Sequence, residues 1–182
     1  MKNKTLLLLL FLVVALLQWL VPISSVYRKN IVQASGKSFC FKMQPVDPAH
    51  PFAGRYMALQ FDQNSTPLKP GMSLKDNAVI YLEISEDENQ FAVIKDMSLE
   101  PFTHTTDYIR ATVQYFDSNR VFVNYPFDRY YMGENKAKAT EDKIIPLLKD
   151  STHRTCAMVK VLGGETFLQD IYIDNQALKE WK

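Results

Sequence analysis

The chain has 182 residues, 47% of them apolar and 23% charged, a size and balance that suit one folded domain and exclude a disordered, collagen-like or low-complexity protein. Its formal charge of +1 comes from 21 basic and 20 acidic side chains, and these are unevenly placed: Lys2, Lys4, Arg28 and Lys29 flank an apolar N-terminus, and no acidic residue precedes Asp47. Setting those four aside leaves 17 basic against 20 acidic groups, a net of −3, which repels a polyphosphate, so no nucleic-acid partner is expected.

Leu6 to Leu17 is a run of twelve consecutive apolar residues, resumed after Gln18 through Trp19-Leu20-Val21 to Ile23 and interrupted only by Pro22. As a helix, Leu6–Ile23 would reach about 27 Å, close to the roughly 30 Å of bilayer hydrocarbon, with Trp19 and Tyr27 toward its far end, where aromatic rings favour the interface. The lipid bilayer is therefore the expected partner of Leu6–Ile23. A secretory signal peptide competes with this reading, since Lys2 and Lys4 make a good positive start, but the cut would fall near Ile23-Ser24-Ser25, which lacks the A-x-A pattern. The expectation is an uncleaved signal-anchor over residues 1–26, a tether or helical continuation over 27–37 with Gly36 as its stop, and a body over 38–182. The basic flanks balance each other and do not set orientation; the signal-like start places the body outside the cytoplasm, on a single-pass protein of the inner (cytoplasmic) membrane.

Beyond the anchor, Ser38–Met43 reads as a strand and Pro45-Val46-Asp47-Pro48 as a rigid turn, because proline fixes φ and excludes the helical region at the residue before it. Arg55–Phe61 alternates, with Met57, Leu59 and Phe61 on one face and Tyr56, Ala58 and Gln60 on the other, the pattern of a half-buried strand. Gln63–Asn77, with two prolines and a Pro70-Gly71 turn, reads as a loop. Val79–Ile84 and Phe91–Leu99 are strands joined by an acidic turn, and Tyr108–Phe116 and Val121–Tyr125 form a hairpin across Asp117-Ser118-Asn119. Glu134–Leu148, rich in Ala, Lys and Glu, is the one good helix of the body. Arg154–Val161 and Thr166–Ile173 close the chain as strands around Gly163-Gly164. The predicted class is mainly β, an antiparallel sandwich or partly open barrel with one helix in the body, preceded by a single N-terminal transmembrane helix.

Chemistry-bearing patterns are sparse. Cys40 and Cys156, with 115 residues between them, form no C-x-x-C; they are either buried thiols or a disulfide joining an early and a late strand in an oxidising compartment. His50, His104 and His153 have no metal-ligand spacing, and no G-x-S-x-G or phosphate loop occurs, so neither metal nor cofactor is expected. A Ser/Lys hydrolase would have to use Ser73 or Ser98 with Lys75 or Lys95, lysines whose acidic and polar neighbours hold the amine charged. The aromatic residues from Tyr108 to Tyr131 fit sheet core and cross-strand pairs; alternatively Tyr125 to Tyr131 presents a surface patch on which a ligand docks.

The stretch FKMQPVDPAHPFAGRYMALQF, residues 41–61, resembles the motif region of the bacterial GDYXXLXY family. Pro45, Asp47 and Pro48 stand in the expected turn, followed by Gly54-Arg55-Tyr56-x-x-Leu59-x-Phe61, in which Arg55 replaces the motif aspartate and Phe61 the last tyrosine. The Arg129-Tyr130-Tyr131 strand end, Glu134 soon after, and the closing AMVKVLGGETFLQDIYIDNQAL are similar too. The resemblance implies a membrane-anchored protein and supplies no mechanism. The motif is either a structural turn and strand or a binding surface, and Phe127, Arg129, Tyr130, Tyr131 and Glu134 are a second candidate patch. The functional expectation is an anchored, extracytoplasmic accessory or binding protein beside a multi-span membrane partner, and not an enzyme; the alternatives are the tethered hydrolase and a secreted binder.

Overall fold

A computed structural model describes residues 2–44, 56–131, 146–147, 150 and 152–180. The chain begins with helix α1, Lys2–Ser35. From Leu6 onward this helix is long and apolar enough to cross a membrane, and its apolar side chains lie exposed. Pro22 sits inside it. Beside the proline, the Ser24 and Ser25 hydroxyls both donate to the Val21 carbonyl, at 2.8 and 3.0 Å, a local bond that lets polar residues sit in the helix without unwinding it.

Residues 27–35 are helical and join the span to the body without a break. Val32 is only 3% exposed, and the Gly36 amide donates to the Val32 carbonyl at 2.8 Å, closing the last turn. Glycine is required there by space: a Cβ at position 36 would lie 2.5 Å from the Val32 oxygen and 3.2 Å from the Lys160 Cβ.

Among the described residues the body has twelve strands: β1 Lys37–Gln44, β2 Tyr56–Ala58, β3 Gln60–Phe61, β4 Ser65–Pro67, β5 Val79–Glu86, β6 Ala92–Ser98, β7 Tyr108–Phe116, β8 Arg120–Asn124, β9 Arg129–Tyr131, β10 Thr155–Leu162, β11 Glu165–Ile173 and β12 Gln176–Ala177, followed by a 3-10 turn at Leu178–Glu180. Their named pairings are antiparallel and make two five-stranded sheets, in the orders β12-β11-β10-β1-β3 and β4-β8-β7-β5-β6, plus the ribbon β2-β9. The sheets are stitched at two places. β3 pairs with β1 and β4, four residues on, pairs with β8, so one short stretch of chain passes from sheet to sheet. The β10–β11 turn also meets β7, where Ile109 bridges Gly164 and the Arg110 amide donates to the Gly164 carbonyl at 3.0 Å. Gly164 has φ +89°, and a Cβ there would sit 3.1 Å from the Tyr108 ring. The result is the expected mainly-β body, a sandwich nearly closed into a barrel.

Period-two alternation fills the interior: Phe39, Phe41 and Met43 from β1, Ile80, Leu82 and Ile84 from β5, Ile109, Ala111 and Val113 from β7, and Ala157, Val159 and Val161 from β10. The opposite face of the β1–β10 pair carries the cysteines. Cys40 faces Met158 and Cys156 faces Lys42, so the two sit diagonally with Cα atoms 5.5 Å apart, and their sulfurs are bonded.

Two expectations are corrected. The stretch read as a loop from Gln63 to Asn77 contains β4, an edge strand that tolerates Pro67 because its outer side needs no ladder donor. The strand read over Arg55–Phe61 divides at Leu59, whose amide donates to the Asp128 carbonyl at 2.8 Å, so β2 and β3 take different partners. The helix expected over Glu134–Leu148 lies outside the described residues except for Pro146 and Leu147, which are helical, Leu147 packing on the core.

Candidate functional site

Of the motif residues, Pro45, Asp47, Pro48, Gly54 and Arg55 lie outside the described residues, as does Glu134 of the second patch. The rest of both candidates meet in one place. β2 pairs with β9 in the register Tyr56↔Tyr131, Met57↔Tyr130, Ala58↔Arg129, bringing together two stretches more than seventy residues apart in sequence. The Tyr56 and Tyr131 rings are 5.7 Å apart, and the Arg129 guanidinium stands over the Tyr56 ring at 4.9 Å, a cation–π contact. Asp128 approaches Arg129 at 3.8 Å. The outward face of this ribbon is thus aromatic and cationic, with Tyr131 68% exposed.

Its inner face is structural. Met57, Leu59 and Phe61 are buried, as the alternation predicted. Phe127 and Tyr130, read from sequence as either sheet core or part of a surface patch, are also interior, while Asp128, Arg129 and Tyr131 face outward. Phe41, Phe61, Tyr125 and Phe127 form a packed aromatic cluster with ring centroids 5.0–5.9 Å apart. The Tyr125 hydroxyl reaches the Gln63 carbonyl at 2.5 Å, and burial drives its pKa far above the ordinary phenol value. Tyr130 donates to the Asp170 carboxylate at 2.7 Å; burial, then that bond, holds its hydroxyl protonated.

Beside this cluster the segment Ala58–Phe61 lines a cleft of about 430 Å³, completed by Asn64, Gln114, Asn124 and Asp128 and by the stacked rings of Tyr115 and Phe122, 4.2 Å apart. Gln114 is there because β7 bulges between Val113 and Tyr115 and leaves it unpaired. The lining offers amide donors and acceptors around an aromatic wall, equipment for holding a polar molecule.

Two ionic clusters were not legible in sequence. A bulge in β6, between the partners of Glu83 and Ile84, frees Lys95 to donate to the buried Glu83 carboxylate at 2.6 Å, with His104 3.4 Å from its other oxygen. The Lys95 bond, followed by the weaker His104 contact, holds the Glu83 carboxyl below the ordinary range despite its burial. Lys95 is therefore the ion-pair partner of Glu83, while the Ser98 hydroxyl accepts from the Glu100 amide at 3.0 Å; Ser73 and Lys75 are exposed. On the other sheet a bulge at Gln169 lets Lys179 reach the Gln169 carbonyl at 2.7 Å and the Asp170 carboxylate at 3.7 Å. Among the described residues no three His, Cys, Asp or Glu side chains gather as a metal site.

An apolar N-terminal helix fused to a nearly closed antiparallel β body, with an aromatic motif ribbon on its flank, defines the class of protein. The sequence profile of the family described as GDYXXLXY protein matches residues 18–171, most of the chain including the end of α1, and the chain belongs to that family. No curated protein and no solved structure matches it.

Proposed function

We propose that this GDYXXLXY protein stays in the membrane through an uncleaved α1 and works outside the cytoplasm by contact, without bond-making of its own, as an accessory or binding protein beside an integral membrane partner. The observation that carries the reading is the continuity of α1: apolar residues exposed along Leu6–Ile23 continue as one helix into a turn whose Val32 is packed in the body. Lipid is the solvent that such an exposed surface needs. The Ser24–Ser25 region, where a signal-peptide cut would fall, is mid-helix with both hydroxyls bonded back to Val21. The outward ribbon of Tyr56, Arg129 and Tyr131 and the cleft beside it supply the contact surface, with the aromatic and arginine composition that anchors interfaces.

The experiment is extraction of membranes with alkaline carbonate, N-terminal sequencing of the mature chain, and protease treatment of intact cells. Retention in the pellet, a chain that keeps Leu6–Ile23, and digestion of the body from outside support the reading; a mature N-terminus beyond Ile23 sinks the anchor. Cross-linking before mild detergent extraction then tests the partner: an integral membrane protein captured by wild type and lost in Tyr131→Ala supports it, and capture of none sinks the accessory role.

A further inference from the structure

A second cavity, of about 440 Å³, opens where α1 meets the body. Lys29 of α1, Arg110 and Thr112 of β7, Asn124 of β8, and Glu165 and Thr166 of β11 line it. Its carboxylate is already engaged: Glu165 approaches Arg28 at 4.0 Å. Among the described residues neither Lys29 nor Arg110 takes part in an ion pair. Two cations, Lys29 and Arg110, thus line it with one acid, which Arg28 also approaches, on a protein whose remainder is net negative once Lys2, Lys4, Arg28 and Lys29 are set aside. Hydroxyl and amide groups of Thr112, Thr166 and Asn124 complete a lining suited to a hydrated monoanion.

Depth decides which anion. Lys29 lies six residues beyond Ile23, about 9 Å along the helix, while the headgroup layer on each side of the hydrocarbon is roughly 5–8 Å thick. Helical side chains lean toward the N-terminus, so with the span ending at Ile23 the Lys29 ammonium would stand at the level of the phosphates.

We propose that this cavity holds the phosphodiester headgroup of an anionic phospholipid drawn from the leaflet through which α1 leaves the membrane, an inference that rests on the reading of α1 as a retained span. The probe is the purified full-length protein in nonionic detergent, titrated with phosphatidylglycerol, phosphatidylcholine or water-soluble glycerol phosphate, with bound molecules counted by native mass spectrometry. Phosphatidylglycerol should saturate one site that phosphatidylcholine does not fill. Arg110→Gln and Lys29→Gln should each weaken it about fivefold, while Lys75→Gln, an exposed cation elsewhere, leaves it unchanged. Lys29→Gln alters only an exposed helical position, so it keeps the test valid if Arg110→Gln lowers stability. Equal occupancy by the two lipids, or unchanged binding in both variants, overturns the proposal. Glycerol phosphate binding as tightly as the lipid overturns the lipid assignment in favour of a free phosphate ester. The detergent assay does not depend on insertion, so release by carbonate sinks the anchor separately from the pocket.

Discussion

The Tyr130 hydroxyl donates to Asp170 across 2.7 Å, and both residues are buried, tying the motif ribbon to β11 forty residues away. Asp170 takes further bonds from its neighbour's amide, Ile171, at 2.9 Å, and lies 3.7 Å from Lys179. Its charge is thus satisfied from three directions, which is the condition for burying a carboxylate. Tyr130→Phe removes one of them and leaves the acid under-solvated. The expected loss is about 1–3 kcal/mol in denaturant unfolding, with the fold retained. An unchanged midpoint would mean that the bond adds nothing to stability.

The disulfide should be worth more. Cys40 and Cys156 close a loop with a sequence separation of 116 residues, and on the chain-entropy argument such a bridge contributes roughly 4–5 kcal/mol by restricting the unfolded chain. Paired Cys40→Ala and Cys156→Ala substitutions, or reductant, should lower the unfolding midpoint by a comparable amount. Identical curves with and without reductant, together with two titratable thiols, would remove the bridge from the account.

The two faces of the motif strand should separate in mutagenesis. Phe61→Ala empties a place in the Phe41–Tyr125–Phe127 cluster and is expected to cost about 3–5 kcal/mol. Tyr56→Ala removes a half-buried ring with Arg129 and Tyr131 as neighbours, and should cost about 1 kcal/mol or less while abolishing capture of the membrane partner. Equal thermal destabilisation by both, with partner capture intact in Tyr56→Ala, would make the motif purely structural.

His153 gives a local pH signature. Its Nδ1 lies 2.5 Å from Asp174, and Asp150 is 3.9 Å from Nε2. The Asp174 bond raises the His153 pKa above 6.5, and the same bond lowers that of Asp174 below 3.8. The histidine's contribution is whole below pH 6.5 and is lost as pH rises through its folded value; the aspartate's is whole above pH 3.8 and is lost as pH falls through its folded value. The pair is therefore fully formed between about pH 4 and 6.5. Proton NMR of the His153 ring should titrate above 6.5, and Asp174→Asn should bring the midpoint down; the same midpoint in both would mean that Asp174 is not its partner.

Much of this was legible along the chain. The apolar run at Leu6–Ile23, the alternation of Met57, Leu59 and Phe61, and the turn at Asp117, whose carboxylate accepts from the Asn119 and Arg120 amides at 2.7 Å each, are short-range patterns written within a few residues. The bulges were not legible. Lys95, Gln114 and Gln169 occupy ordinary strand positions in sequence, and only the count of residues on a partner strand leaves them unpaired. Phe127 and Tyr130 reads as a patch because composition shows aromatic rings and says nothing of which side of a strand faces the core.

The amino-acid sequence by itself determined that a greasy helix precedes a pleated body, since periodicity and hydropathy act over one element at a time. Tertiary structure alone decided that β2 lies against β9, that Cys40 meets Cys156, and that Lys29 and Arg110 share a cavity. Those are encounters between residues tens to more than a hundred positions apart. They depend on how two sheets are stitched at Gln60–Pro67 and at Gly164, a property that no local window contains.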